Sequence, residues 1–256
     1  MDTKVAFVTG ASKGIGRGIA ICLARAGYDV GINYNTDLEG AEYTAGKVRE
    51  FGKKAVVLKG NIKNLDEIHQ MFEEFHKEFD HLDLMVNNAG ITKGAPFLES
   101  SPELWEDVIN TDFRGTFFCG QQAARKMVKD GTRGVIINIT SNHIIGVFNR
   151  NSIYGAAKAG VDKLTKNMAL ELAEYGIRVV SIAPGCTELE WFNEEWQKRY
   201  VIPVSKRIPM KRFATPEEIG EAVVFLASEK AGFITGTTLM IDGGALLPVH
   251  TIIGND

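Results

Sequence analysis

Val5-Ala6-Phe7-Val8-Thr9-Gly10-Ala11-Ser12-Lys13-Gly14-Ile15-Gly16-Arg17-Gly18-Ile19-Ala20 is the stretch that decides the fold. A short apolar run ends at Thr9, a glycine-rich turn follows, and a helical pattern opens near Ile15. Glycines at 10, 14 and 16 let the backbone turn sharply and let an anion approach a helix N-terminus. There, free N–H groups and the helix dipole favour negative charge. Placed after a first strand, this G-x-x-x-G-x-G spacing predicts a dinucleotide pyrophosphate site formed by Gly10, Ser12, Lys13, Gly14, Ile15 and Gly16. No G-K-[ST] follows, so the loop is not a mononucleotide phosphate loop.

Outward from the loop, short Val/Ile-rich runs alternate with longer helical patterns. The strand candidates are 4–9, 29–34, 54–59, 82–87, 134–140, 177–183 and 238–241, and the helix candidates 15–26, 37–51, 65–79, 102–129, 154–175 and 216–227. The runs are continuous rather than alternating, as strands buried on both faces of a parallel sheet read. Ser101-Pro102-Glu103 and Thr215-Pro216-Glu217-Glu218 carry helix-start signals, and Asn64 precedes acids in a first turn. The pattern predicts an α/β chain: one Rossmann-like domain over 1–256, a doubly wound parallel sheet of seven strands flanked by helices. Residues 185–212 break the alternation and are read as a substrate lid inserted near the site.

Composition excludes several classes. Of 256 residues 45% are hydrophobic and 24% charged, with a net charge of -3, which argues against a disordered chain or a general nucleic-acid binder. Cys22, Cys119 and Cys186 have no metal or disulfide spacing, so no metal is expected. The longest apolar stretch, Ala222–Ala227, is too short for a membrane span, and Val5–Val8 is too short for a signal-peptide core. A soluble, cytoplasmic protein with no membrane or nucleic-acid partner is the expectation.

At the end of the second strand, where an acid would hold a ribose 2′-hydroxyl, the sequence reads Asn33-Tyr34-Asn35-Thr36. Without an acid to repel a 2′-phosphate, and with Lys13 to attract one, NADP(H) is favoured and NAD(H) stays possible. The fifth strand ends at Ser141, and Tyr154 and Lys158 lie four apart on one helix face. An ammonium beside a phenol favours phenolate, which makes tyrosine a usable acid/base near neutral pH. Ser141, at a strand's carboxyl end, is placed to hydrogen-bond a carbonyl undergoing reduction. A second Tyr-x-x-x-Lys pair, Tyr43 and Lys47, has no polar strand end before it and reads as a surface pair.

Together these motifs resemble the short-chain dehydrogenase/reductase family across residues 4–246. The resemblance rests on the 9–16 loop, Asn87-Asn88-Ala89-Gly90, the Ser141/Tyr154/Lys158 spacing, Pro184-Gly185 and Asp242-Gly243-Gly244. It implies that Tyr154 is the acid/base, that Lys158 lowers its pKa and binds the nicotinamide ribose, and that Ser141 orients the substrate oxygen. It places the family's catalytic asparagine at Asn110, holding a relay water. It adds Asn33, Tyr34, Asn35, Asn61, Ile62, Asn88, Ala89, Gly90, Pro184, Gly185 and Thr187 to the cofactor contacts, and it implies a homotetramer with the fourth and fifth helices and the C-terminal end in interfaces. Asn61 stands where the family usually has aspartate, and Leu189 where it often has threonine.

For the substrate, the resemblance extends to glucose 1-dehydrogenase-type members and to 3-oxoacyl-carrier-protein reductases. The 185–212 segment carries Trp191, Phe192, Trp196 and Tyr200 among Glu188, Glu190, Glu194 and Glu195. Read as a pocket wall with His143 and Arg150, its Trp191 and Trp196 suit a sugar or polyol. Read as an amphipathic helix, it buries its aromatics on the protein body. A carrier-protein substrate would want the basic Arg125, Lys126 and Lys129 at the cleft, and other ketones, steroids included, stay open. A non-catalytic dinucleotide-binding regulator is the reading from another class.

Overall fold

The computed structural model describes residues 3–247. Its elements follow the alternation: β1 (Val5–Val8), α1 (Gly14–Arg25), β2 (Asp29–Tyr34), α2 (Leu38–Glu50), β3 (Ala55–Lys59), α3 (Leu65–Glu78) and β4 (Leu84–Asn87). Then come α4 (Pro102–Val108), α5 (Thr116–Asp130), β5 (Val135–Ile139), α6 (Ser152–Leu172), β6 (Arg178–Pro184), short α7 (Glu194–Trp196) and α8 (Ile202–Ser205), α9 (Pro216–Ala227) and β7 (Thr238–Ile241). The seven strands form one parallel sheet in the order β3-β2-β1-β4-β5-β6-β7. Strand order reverses between β1 and β4, which opens a crevice at the carboxyl ends where such sheets bind ligands.

The strands are apolar on both faces because both faces are covered. Ile19, Leu23, Val48, Ile219 and Val223 of α1, α2 and α9 pack with Val8, Ile32 and Val86 on one side. Ile68, Phe72, Phe75 and Met127 of α3 and α5 pack with Phe7 and Met85 on the other, where Phe7 and Phe75 stack at 4.8 Å. The expected caps are present. Ser101 accepts from Leu104 N–H, Asn64 from Asp66 and Glu67, and Thr215 and Glu218 form a capping box.

The helix expected over 102–129 is not continuous. Between α4 and α5 the chain widens into a π-helical segment, Ile109–Gly115. Thr111 and Thr116 return hydroxyl bonds to the carbonyls of Asp107 (2.7 Å) and Asp112 (2.9 Å) within this segment. The widened turn faces the crevice and changes which residue reaches it.

Candidate active site

Gly10 and Gly14 both have left-handed backbone (φ 62° and 55°), so the loop turns as only glycine does readily. Gly16 has no room for a side chain: a Cβ there would stand 2.3 Å from the Gly10 carbonyl oxygen. The loop is tied to β4. Asn88 Nδ2 donates to the carbonyls of Thr9 (2.9 Å) and Gly10 (3.1 Å), and Thr9 Oγ1 accepts from the N–H groups of Asn88 and Ala89. The result is a bare backbone cradle at a helix N-terminus, and it already holds an anion. Gly14 N–H donates to both carboxylate oxygens of Glu190 at 3.0 Å, and Arg17 Nη1 pairs with Glu190 Oε1 at 2.9 Å. A carboxylate standing at this position shows the loop fits an anionic group such as a dinucleotide phosphate.

The end of β2 sorts its predicted residues into two kinds. Asn33 is buried, and its amide is committed to the backbone: Oδ1 accepts from Gly10 N–H, and Nδ2 donates to the carbonyls of Tyr34, Leu58 and Gly60. It shapes the loop rather than presenting a free amide. Asn61 Oδ1 accepts from Lys63 N–H, and Ile62 is buried. Tyr34 is half-buried, and Asn35 and Lys13 are exposed. Asp37, the nearest acid, caps α2 by accepting from Gly40 N–H. The sequence reading missed Arg17. Its guanidinium reaches the carbonyls of Ser12 and Gly40 at the start of α2 and lies 4.7 Å from the Tyr43 ring centre. Lys47, 5.7 Å from the same ring, pairs with Glu50, so Tyr43 and Lys47 are a surface pair as expected.

At the carboxyl end of β5, Ser141 caps a short 3-10 turn, Asn142–Ile144, and accepts from His143 N–H. The His143 ring meets the Tyr154 ring edge-on at 5.0 Å and stacks on Phe148 at 3.9 Å. Burial pushes the His143 pKa down to about 4, so this imidazole is neutral in ordinary conditions. Tyr154 and Lys158 are both buried on one face of α6, with Lys158 Nζ 5.7 Å from the phenol ring centre. Lys158 donates to the Ile139 carbonyl (3.1 Å) and pairs at 3.1 Å with Asp112 Oδ1. Burial disfavours the Lys158 charge, but Asp112 and Tyr154 outweigh it and leave the ammonium more basic than usual.

Asp112, not Asn110, therefore stands against Lys158. Asn110 sits two residues away, on the opposite side of the helical segment, along a surface cleft of about 520 Å³ with Lys63, Lys93, Glu103 and Asp107. A fully buried acid must find a cation, and Asp112 finds Lys158; the residue order carries no signal of that burial.

At β6, Gly185 N–H donates to Ile241 and Thr187 is buried, its hydroxyl bonded to the Gly185 carbonyl. The 185–212 segment partly corrects the pocket assignment. Trp191 lies over the glycine loop, with Lys13 Nζ 5.3 Å from its ring centre. Trp196 stacks on Phe192 at 5.5 Å within an aromatic group that includes Tyr200 and Phe213. Aromatic stacking inside the segment sets these positions, and Trp191, Trp196 and Tyr200 stay exposed rather than buried on the protein body as the amphipathic reading expects. Arg150 is exposed and strained (φ 66°), with its carbonyl against Gly94. Of the four pocket residues, His143 is the one that touches the Tyr154 side chain. The basic Lys126 bonds the Asp80 carbonyl and pairs with Asp130, at the amino end of the sheet and opposite the crevice.

Among the described residues no His/Cys/Asp/Glu group is arranged to hold a metal, and no described helix is long and apolar enough to cross a membrane. A family model described as Enoyl-(Acyl carrier protein) reductase matches residues 10–245. An uncharacterized oxidoreductase, YohF, of Escherichia coli K12 is 39% identical over 95% of this chain and 96% of its own length. The 3-oxoacyl-[acyl-carrier-protein] reductase FabG of Staphylococcus epidermidis is 39% identical over 94% of this chain and 98% of its own. The crystal structure of acetoin dehydrogenase from Enterobacter cloacae superposes with a TM-score of 0.90 at 35% identity, covering 99% of both chains.

Proposed function

The chain belongs to the short-chain dehydrogenase/reductase family and is an alcohol/carbonyl oxidoreductase, and from that premise we propose that it uses NADP(H) in preference to NAD(H) on a compact, oxygen-rich alcohol or ketone. The family binds NAD(P)H. When bound, the nicotinamide supplies or accepts the hydride. The chain's own residues do the rest. Tyr154 moves a proton at the substrate oxygen, Lys158 favours its phenolate, and Ser141 holds that oxygen with its hydroxyl. The neutral His143 and Phe148 form an apolar wall beside the phenol.

One observation carries the substrate reading. In the segment leading from β6, Glu190 is held by Gly14 and Arg17, and Glu194 and Glu195 pair with Lys198 and Arg199, while the basic Lys126 region sits at the sheet's opposite end. With the Lys126 region turned away from the crevice, a small neutral polyol, sugar or hydroxyketone fits better than an acyl group on a bulky carrier needing a basic patch. Acetoin-oxidising neighbours fit the same class. Exposed Phe97, Leu98, Trp105 and Phe117 around α4 and α5 support a homotetramer. The C-terminal end assigned to an interface lies beyond Leu247, outside the described residues. A cytoplasmic location goes with three free cysteines.

The test is turnover of purified protein with acetoin, aldoses, polyols and a 3-oxoacyl thioester. Turnover of the thioester alone would sink the compact-substrate reading. No turnover with any of them, together with tight cofactor binding, would favour the non-catalytic regulator.

NADP(H) preference rests on Lys13 and Arg17 flanking a β2 end whose nearest acid is spent on a helix cap. Replacing both by alanine is expected to weaken NADPH binding by about tenfold to a hundredfold, the range of a lost charge-assisted hydrogen bond. NADH affinity should hold within about twofold, since it offers those cations no phosphate. Fluorescence titration gives both constants; an unchanged NADPH/NADH ratio removes the basis for the preference. Glu190→Gln is expected to tighten either cofactor by about fivefold, because a charge-assisted contact that competes with phosphate is weakened. Unaltered affinity would mean the cofactor and Glu190 do not compete.

A further inference from the structure

The position that meets the α6 lysine carries a carboxylate, and the surroundings are built for it. Asp112 is fully buried; its Oδ2 accepts from Ile91 N–H at 3.1 Å and its Oδ1 faces Lys158 Nζ at 3.1 Å. This is an ionic contact, off the angle of an aligned hydrogen bond. The pair has space only because residue 90 is glycine. A Cβ there would stand 2.5 Å from Asp112 Oδ1 and 3.1 Å from Lys158 Nζ. The π-helical widening brings Asp112 to this point, and the Thr116 hydroxyl occupies its main-chain carbonyl.

We propose that Asp112 is a positioning residue that clamps Lys158 and partly cancels its charge, so that Lys158 draws the Tyr154 phenol toward phenolate less than a lone ammonium would, and the phenol serves chiefly as a proton donor in carbonyl reduction. This rests on the reading of Tyr154 as the acid/base. A lone ammonium beside a phenol favours phenolate, and a carboxylate on that ammonium's far side opposes the effect. Among the described residues no other charge replaces the cancelled one. On α6 the groups facing the phenol are Lys158 and Tyr154 itself, and after β5 it is His143, held neutral by burial. Behind the loop after β4, Lys93 and Lys63 are both paired with Asp107. Glu190 is engaged by Gly14 and Arg17.

The experiment compares pH profiles of kcat for alcohol oxidation and carbonyl reduction in the wild-type protein, Asp112→Asn and Tyr154→Phe. Oxidation needs phenolate and reduction needs phenol, so in the wild type oxidation should still be rising above pH 8 while reduction is at its plateau at pH 7. In Asp112→Asn, Lys158 acts uncancelled, and both limbs should move to lower pH by about one unit. That is close to a tenfold gain in oxidation at a pH on the rising limb. Limbs that do not move, or that move upward, overturn the proposal. If Asp112→Asn does not fold, the wild-type profile decides: an oxidation limb complete below pH 7 overturns it just as firmly. Activity retained in Tyr154→Phe would instead remove the acid/base reading beneath it, a separable result.

Discussion

Tyr154→Phe is expected to bind cofactor with nearly unchanged affinity and to lose turnover by about 10²- to 10⁴-fold, the range of a positioned general acid/base. The change removes one oxygen and leaves the ring, so the edge-on contact with His143 and the packing with Ile153 and Ala157 remain. Lys158 keeps its two partners, the Ile139 carbonyl and Asp112, so its ammonium stays in place. A fall in kcat with little change in cofactor Kd isolates the proton-transferring hydroxyl from the binding surface. Fluorescence titration and steady-state rates together make the measurement. Turnover within about threefold of wild type would show that no proton passes through this phenol.

The second large effect comes from one methyl group in the loop. In Gly16→Ala the new Cβ would lie 2.3 Å from the Gly10 oxygen, 2.5 Å from Asn88 Nδ2 and 3.0 Å from Ala11 Cα. None of these can step aside alone. Asn88 bonds Thr9 and Gly10, Thr9 bonds back to Asn88 and Ala89, and Asn33 holds Gly10 from the other flank. The loop must shift as a unit. Overpacking of this kind costs about 1–3 kcal/mol, roughly a 2–12 °C fall in Tm for a chain of this size. Cofactor affinity should fall further, by about a hundredfold, because a misplacement near 1 Å spoils every backbone contact at once. Thermal melts and titrations separate the two effects. Wild-type affinity in Gly16→Ala would show that the cofactor does not depend on this cradle.

Much of this architecture is legible in the primary structure, because it follows from local rules. Continuous Val/Ile runs mark strands buried on both faces, and the caps at Asn64, Ser101 and Thr215 are each written within four residues. Tyr154 and Lys158 share a face because α6 is an ordinary helix there. What was not legible depends on departures from regular geometry or on distant partners. Asn110 is the residue the family resemblance implies, whereas the structure sets Asp112, within the π-helical segment, against Lys158, a distant pairing that residue order does not announce. Arg17 and Glu190 meet across 173 positions of chain, which no local pattern announces. Trp191 and Trp196 carry the composition of a pocket wall, yet stacking within their own segment and onto Lys13 decides where they rest.

The Glu190 contact also bears on the sequence of events in a catalytic cycle. A dinucleotide phosphate seeking the first turn of α1 meets a carboxylate already seated there, and its arrival would displace that carboxylate together with the neighbouring Leu189 and Trp191, which lie beside Gly14. The segment that then settles over the crevice is available to a second reactant only after the first has entered. Steady-state kinetics would follow a compulsory order: cofactor on first, reacted cofactor off last, its departure completed as the carboxylate reoccupies the helix end.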